Sequence, residues 1–211
     1  MFVIVHDDRV IYGPRNWSKV YFQEVILDEC DFECCLDVRN QHFSPVTVNE
    51  NIKILPVEEL PSPIYNGKIQ RLNGPYWNFL EDRAQMYFEV VDMPVEAVKN
   101  ILKETAMNIR YQYENEGFRY NIQDTEVTIN TNRTTRDVFL NTYLSMTDNE
   151  TVSWKFPEAW LSISKFDLQQ IVNEIKRHVQ DGFSWEQNKS IEIDSANTLE
   201  ELDSIQMEIF K

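Results

Sequence analysis

Glycine is scarce in this chain, with 5 in 211 residues. That leaves no room for a glycine-rich phosphate loop and excludes collagen-like or linker-like sequence. Cysteine is nearly absent too: Cys30, Cys34 and Cys35 are the only three. An odd number crowded into six positions makes no disulfide framework and suits a reducing compartment. Basic residues are outnumbered, 20 Lys and Arg against 35 Asp and Glu, for a net charge of -15. A binder of the phosphate backbone needs clustered cations, and an anionic membrane surface repels such a chain. No apolar run approaches the ~20 residues of a membrane-spanning helix. No secretory leader is expected, because Met1-Phe2-Val3-Ile4-Val5 breaks at His6-Asp7-Asp8 without a basic start. The Asn-x-Ser/Thr triplets at Asn16, Asn132, Asn149 and Asn188 therefore read as chance matches.

What is present suffices for a packed core: 42% hydrophobic and 12% aromatic residues. The first 92 residues read as β-rich. Phe2–Val5 and Val10–Tyr12 flank Asp7-Asp8 as an opening hairpin that Gly13-Pro14 ends. Tyr21–Leu27, the alternating Phe32, Cys34, Leu36 and Val38, then Val46–Val48, Ile52–Val57 and Tyr87–Val91 read as further strands. Between them, Pro56, Pro61, Pro63 and Asn73-Gly74-Pro75 read as a loop or arm over about 56–77.

At Pro94 the apolar period changes from two to that of a helix. Val95, Val98, Ile101, Leu102, Ala106, Ile109 and Tyr113 share helical spacing up to Gly117. Phe118–Ile122 and Val127–Ile129 flank the turn Asp124-Thr125 as a hairpin. Thr134 or Thr135 is set to cap a short helix carrying Val138, Leu140, Tyr143 and Leu144. A strand with Val152, Trp154 and Phe156 follows. Ser164 with Asp167, and Thr198 with Glu201, are capping-box signatures. The first opens the stripe Leu168, Ile171, Val172, Ile175, Val179 and Phe183, a helix of 165 to about 185 that should pack on the hairpin. The fold class is α+β. A β-rich domain over 1–92 precedes an α+β domain over 93–211, ordered helix, β-hairpin, helix, strand, two helices.

Candidate chemistry is thin. Cys30, Cys34, Cys35 and His42 do not have zinc spacing, because adjacent cysteines do not readily reach one tetrahedral ion. His6, His42 and His178 lie on different elements, and no nucleophile-elbow motif accompanies them. The pairs Glu58-Glu59 and Glu200-Glu201 read as solvated charge, the second favoured by the start of a helix. Among Trp17, Tyr76, Trp77, Trp154, Trp160 and Trp185, packing explains Trp154 and Trp185. Tyr76 and Trp77, after a turn, are the aromatics best placed for an external contact. No catalytic, cofactor-binding or metal residue is assigned. The interface candidates are Tyr76, Trp77, Pro61, Pro63 and Trp17.

From Pro94 to about Phe210 the chain resembles a domain of unknown function widespread in tailed bacteriophages. The resemblance rests on Asn108–Glu114 before Gly117, Thr125–Thr131, Arg133–Arg136, Trp160–Lys165 with Asp167-Leu168, His178–Gln180, Phe183–Glu186, Ile193-Asp194 and Thr198–Leu202. The leading half looks like that of proteins from large myoviruses, through Phe2–Val5, Gly13–Trp17, Ile52–Val57 and Asn73–Trp77. The family carries no catalytic residues over. It implies a protein made in the host cytoplasm and located in the virion, near tail and tail-fibre components. The resulting expectation is a non-enzymatic structural protein of the tail, baseplate or fibre-attachment region, with other phage structural proteins as partners in a symmetric assembly. Direct contact with nucleic acid or membrane is not expected. A tail-fibre assembly chaperone, absent from the finished particle, is the alternative. A small hydrolase or sugar-binding module is a third reading.

Overall fold

The structure, a computed structural model, describes residues 1–15, 36–37, 42–43, 46–47 and 52–209. Trp17, the cysteines and the strand expected at 21–27 lie outside them. The chain divides into two compact units, Met1–Asp92 and Met93–Lys211.

The first unit is built on β1 (Phe2–His6), β2 (Arg9–Arg15), β3 (Leu36–Asp37), β4 (His42–Phe43), β5 (Val46–Thr47), β6 (Ile52–Glu59), β7 (Gln70–Phe79) and β8 (Ala84–Asp92). Its main sheet runs β2-β1-β6-β8-β7, with β5 also on β6. Asp7 and Asp8 take positive φ in the tight β1–β2 turn, which Asp tolerates better than most residues. Phe2, Val3, Ile4 and Val5 are all buried, so β1 is covered on both faces, as its unbroken apolar run requires. Val3, Val5, Leu55 and Ala84 cluster on one face. Ile4, opposite Ile54 in register, faces the other way.

Two expectations are corrected here. Gly13-Pro14 does not end the hairpin; β2 runs on to Arg15. The stretch 56–77 is not one arm, because β6 continues to Glu59 and β7 begins at Gln70. Pro75 is accommodated because it lies at the register shift between Asn73 and Tyr76, on a strand that pairs only with β8 among the described residues. At such a site a missing N–H breaks no ladder bond. What remains outside the strands is 60–69.

The second unit contains α1 (Val95–Glu116), β9 (Phe118–Ile122), β10 (Thr125–Ile129), α2 (Arg133–Ser145), β11 (Thr151–Lys155), β12 (Trp160–Ser164), α3 (Lys165–Ser195) and α4 (Leu199–Ser204). Ile122, Val127 and Ile129 of the first ribbon meet Leu168, Ile171 and Ile175 of α3 in one core, as the apolar periods imply. Phe139 joins it, stacked on Trp154 with ring centroids 4.4 Å apart. The single strand expected near 152–156 is a two-stranded ribbon, β11 with β12.

Both capping boxes form, at Ser164 with Asp167 and at Thr198 with Glu201. Burial pushes the Asp167 carboxyl up, but bonds from the Ser164 N–H and hydroxyl and from Gln123 outweigh it and hold the pKa below the usual value. Its contribution is present at neutral pH and is lost as pH falls through that lowered pKa.

The helix α2 differs from expectation. Asn132, not Thr134 or Thr135, caps it, its side chain accepting from the Thr135 N–H at 2.9 Å. Val138, Leu140 and Leu144 are exposed and Phe139 carries the packing. Of the expected stripe only Tyr143 packs against the core, beside Phe139, which the apolar spacing did not select.

The buried line on α3 runs Leu168, Ile171, Ile175, His178, Gly182, Trp185 and Ile193, at alternating steps of mostly three and four. Ile175→Asp places an unpaired carboxylate in the core and should cost several kcal/mol. Lys176→Asp, on the exposed side, should change stability by at most about 0.5 kcal/mol. Urea unfolding of the two variants checks the assignment of faces; equal effects contradict it.

A candidate functional site: the braced end of α1

The strongest concentration of buried polar chemistry lies where α1 ends. Gly117 follows it with φ +80°, and a Cβ there would strike the Ile129 carbonyl, so only glycine fits this turn. The last four carbonyls of a helix have no partner within it. Side chains from other elements supply two donors. Thr131, fully buried at the junction of β10 and α2, donates its hydroxyl to the Glu114 carbonyl at 2.5 Å. His178 of α3 places Nε2 2.8 Å from the Tyr113 carbonyl. A carbonyl only accepts, so Nε2 carries the proton in this contact. The imidazole also stacks on Tyr113 at 4.2 Å and tilts against Phe118 at 5.4 Å.

Beside this cap sits a network of charges. The Glu114 side chain is 3% exposed. Its Oε1 accepts from Arg110 at 2.6 Å, one helical turn back, and Arg136 of α2 approaches Oε2 at 3.5 Å. Arg110 also donates through Nε to Glu186 of α3 at 2.8 Å. Its guanidinium lies over the Phe183 ring, 4.6 Å from the centroid. Burial acts to lower the Arg110 pKa, and the bonds to Glu186 and Glu114 outweigh it and raise it above its ordinary value. Burial, followed by the Asp181 carboxylate, raises the Tyr113 phenol. Two cations and two anions thus balance, as a buried charge set must.

The backbone makes room for this set. Arg110 meets Glu186, Lys103 meets Asp194 and Tyr113 meets His178, so α1 and α3 run antiparallel. At Gly182 an added Cβ would stand 3.2 Å from the Tyr113 ring and 3.4 Å from the Arg110 side chain. The absence of a side chain there lets the helices close over the network. Chemically, the arrangement braces α1, α2 and α3 against the ribbon.

Spacing placed Tyr113 and Phe183 on helical stripes and Gly117 at a helix end, and His178 was noted as a scattered histidine, but none of the charged residues of the network was singled out. Their signal is three-dimensional: Arg110 with Glu114 is an ordinary i,i+4 pair until α2 and α3 bury it.

The residues that were singled out are dispersed. Pro61 is exposed and Pro63 half-buried in the 60–69 segment. Trp77 packs against the Val3, Val5, Leu55 and Ala84 cluster, closing over the sheet of its own unit. Tyr76 lies 5.8 Å from Tyr87 and accepts from the Asn73 amide through its hydroxyl. Both aromatics therefore sit in β7 rather than in a loop. Trp185 is buried, its Nε1 donating to the Glu208 carbonyl at 3.0 Å. Trp160 is largely exposed beside Lys155. Glu58 pairs with Arg83 at 3.1 Å, and Glu201 serves the α4 cap. Among the described residues no group of His, Cys, Asp and Glu is placed to hold a metal ion, and no helix is long and apolar enough to cross a membrane.

The whole braced assembly falls inside the match to one family model, the domain of unknown function DUF4376, over residues 97–206. The chain belongs to the DUF4376 family. The DUF4376 match begins within α1 and ends just beyond α4, so it spans nearly all of the second unit. No curated protein and no solved structure matches the chain. Arg110, Glu114, Thr131, Arg136, His178 and Glu186 all lie within the DUF4376 match.

His178→Ala removes a donor from the Tyr113 carbonyl and opens a void between two rings. A loss of about 2–4 kcal/mol in urea unfolding is expected. Thr131→Val keeps the shape and loses only the hydroxyl, for about 1–2 kcal/mol. A His178→Ala variant as stable as the parent contradicts the cap.

Proposed function

We propose that this chain is a non-enzymatic structural component of a tailed-phage virion, in the tail, baseplate or fibre-attachment region, acting through protein–protein contacts. The observation that carries the reading is the segment 60–69. It presents Ile64 wholly to solvent (100% exposed) with Tyr65 beside it, from a segment tied to the sheet at both ends. Ile64 and Tyr65, adjacent and held outward by a segment anchored at both ends, form the kind of contact a docking element offers. A second support is the use made of the buried charges. Arg110, Glu114, Arg136 and Glu186 hold one another. That suits a body whose task is to keep its shape under load. The phage setting rests on the sequence resemblance described above.

The docking element is narrower than the sequence suggested. Pro61 and Pro63 stay in it; Tyr76 and Trp77 belong to β7. Peptide mass spectrometry of purified particles of the encoding phage tests the proposal. Peptides of this chain in stoichiometric amount are expected. Abundance in the lysate with absence from the particle overturns the structural reading and favours an assembly chaperone.

A further inference from the structure

The glycines of this chain are not used alike. Gly13, Gly74 and Gly117 have positive φ and backbone close to where a Cβ would stand, and a Cβ on Gly182 would stand 3.2 Å from the Tyr113 ring. At Gly67 a Cβ would meet nothing closer than the Tyr65 ring at 3.8 Å, and the backbone is not left-handed. The fold does not need this glycine. Asn66 precedes it, and both residues are exposed.

Around Asn66 the main chain bends into a single turn. The Asn66 carbonyl accepts from the Ile69 and Gln70 N–H groups at 3.1 and 2.7 Å, and the Asn66 N–H donates to the Gln70 side chain at 3.1 Å. The side-chain oxygen accepts from the Lys68 N–H at 3.1 Å. An asparagine that reaches the amide two residues on folds its carboxamide back over the bond between. The Gly67 N–H lies at that bond and makes no hydrogen bond among the described residues. A deprotonated main-chain nitrogen attacks a side-chain amide carbon most readily where no side chain crowds it, and glycine crowds it least. The Lys68 donor stabilises the negative charge that develops on Oδ1 in that attack.

We propose that Asn66-Gly67 is a self-modification site, at which Asn66 deamidates through a cyclic imide. The Gly67 nitrogen gives its proton to solvent base and bonds to Asn66 Cγ; the Cγ–Nδ2 bond breaks and ammonia leaves. Water then opens the imide at either carbonyl. Opening at Cγ leaves aspartate, and opening at the main-chain carbonyl leaves isoaspartate. In sum, water enters, ammonia departs and nothing is oxidised or reduced. Either product puts a negative charge beside Tyr65. Isoaspartate also takes the carbonyl that holds Ile69 and Gln70 out of the main chain, which undoes that anchor of the segment. The modification is independent of the docking reading; only its effect on docking rests on that reading.

The other Asn-Gly pair is an internal control. Asn73 and Gly74 lie within β7, and the Asn73 side chain donates to the Tyr76 hydroxyl. A Cβ on Gly74 would stand 3.0 Å from the Phe88 ring and 3.1 Å from the Tyr87 carbonyl oxygen. A strand in register with β8 at Asn73 does not bend into the ring without breaking that pairing.

Incubation of the full chain at mildly alkaline pH tests the site. Peptides are then mapped at acidic pH, with fragmentation that separates isoaspartate from aspartate. Residue 66 should gain acid with time, faster at higher pH, as a mixture of isoaspartate and aspartate. Residue 73 should stay an amide while the chain is folded. Gly67→Ala should keep the parent melting temperature, because the added methyl group meets only ordinary contact, and should slow the conversion severalfold. Three results overturn the proposal: residue 66 stays an amide while the same chain converts in urea, aspartate is the sole product, or Gly67→Ala converts at the parent rate.

Discussion

Helix α1 ends against groups that belong to other elements. Its last turn has no basic residue, so nothing local offsets the carbonyl end of the helix. Thr131 and His178 reach those carbonyls from β10 and α3, and Arg110, Glu114, Arg136 and Glu186 lock the same corner with charge. A buried ion pair gains little over apolar packing, but removing one member strands the other. The corner therefore fixes which helices meet, and in which register, more than it adds free energy. Gly117 and Gly182 are placed by the same demand for close approach.

The two units do different things with their apolar residues. The second unit has one core shared between a ribbon and α3, and its buried polar atoms are all satisfied among the described residues. The first keeps an ordered segment whose isoleucine touches nothing. An ordered segment that turns Ile64 and Tyr65 outward is the physical content of the docking proposal.

The parts legible in the sequence were those set by local chemistry. The β1–β2 turn, the helix break at Gly117, the β9–β10 hairpin and both capping boxes depend on residues within four positions of one another. Several other features depend on partners far along the chain. Pro75 reads as a loop signal until it is seen at a register shift on a strand with one neighbour. Val138, Leu140 and Leu144 look like a buried stripe until Phe139 is found against Trp154. The α3 stripe passes through His178 and Gly182, which no hydrophobicity count selects. The site itself was hidden, because charged residues read as surface until tertiary packing closes over them.

The claim that a buried, mutually paired charge corner fixes how α1, α2 and α3 meet is tested most directly by a double-mutant cycle on Arg110 and Glu114. Urea unfolding would be measured for Arg110→Met, Glu114→Leu and the pair. Each single change should cost about 3–5 kcal/mol, because it takes the closest partner from a buried charge and leaves the set unbalanced. The double change should cost less than the two together by at least about 2 kcal/mol. Single costs below about 1 kcal/mol that simply add would show that the corner is solvated charge and that the helices are held by apolar contacts alone.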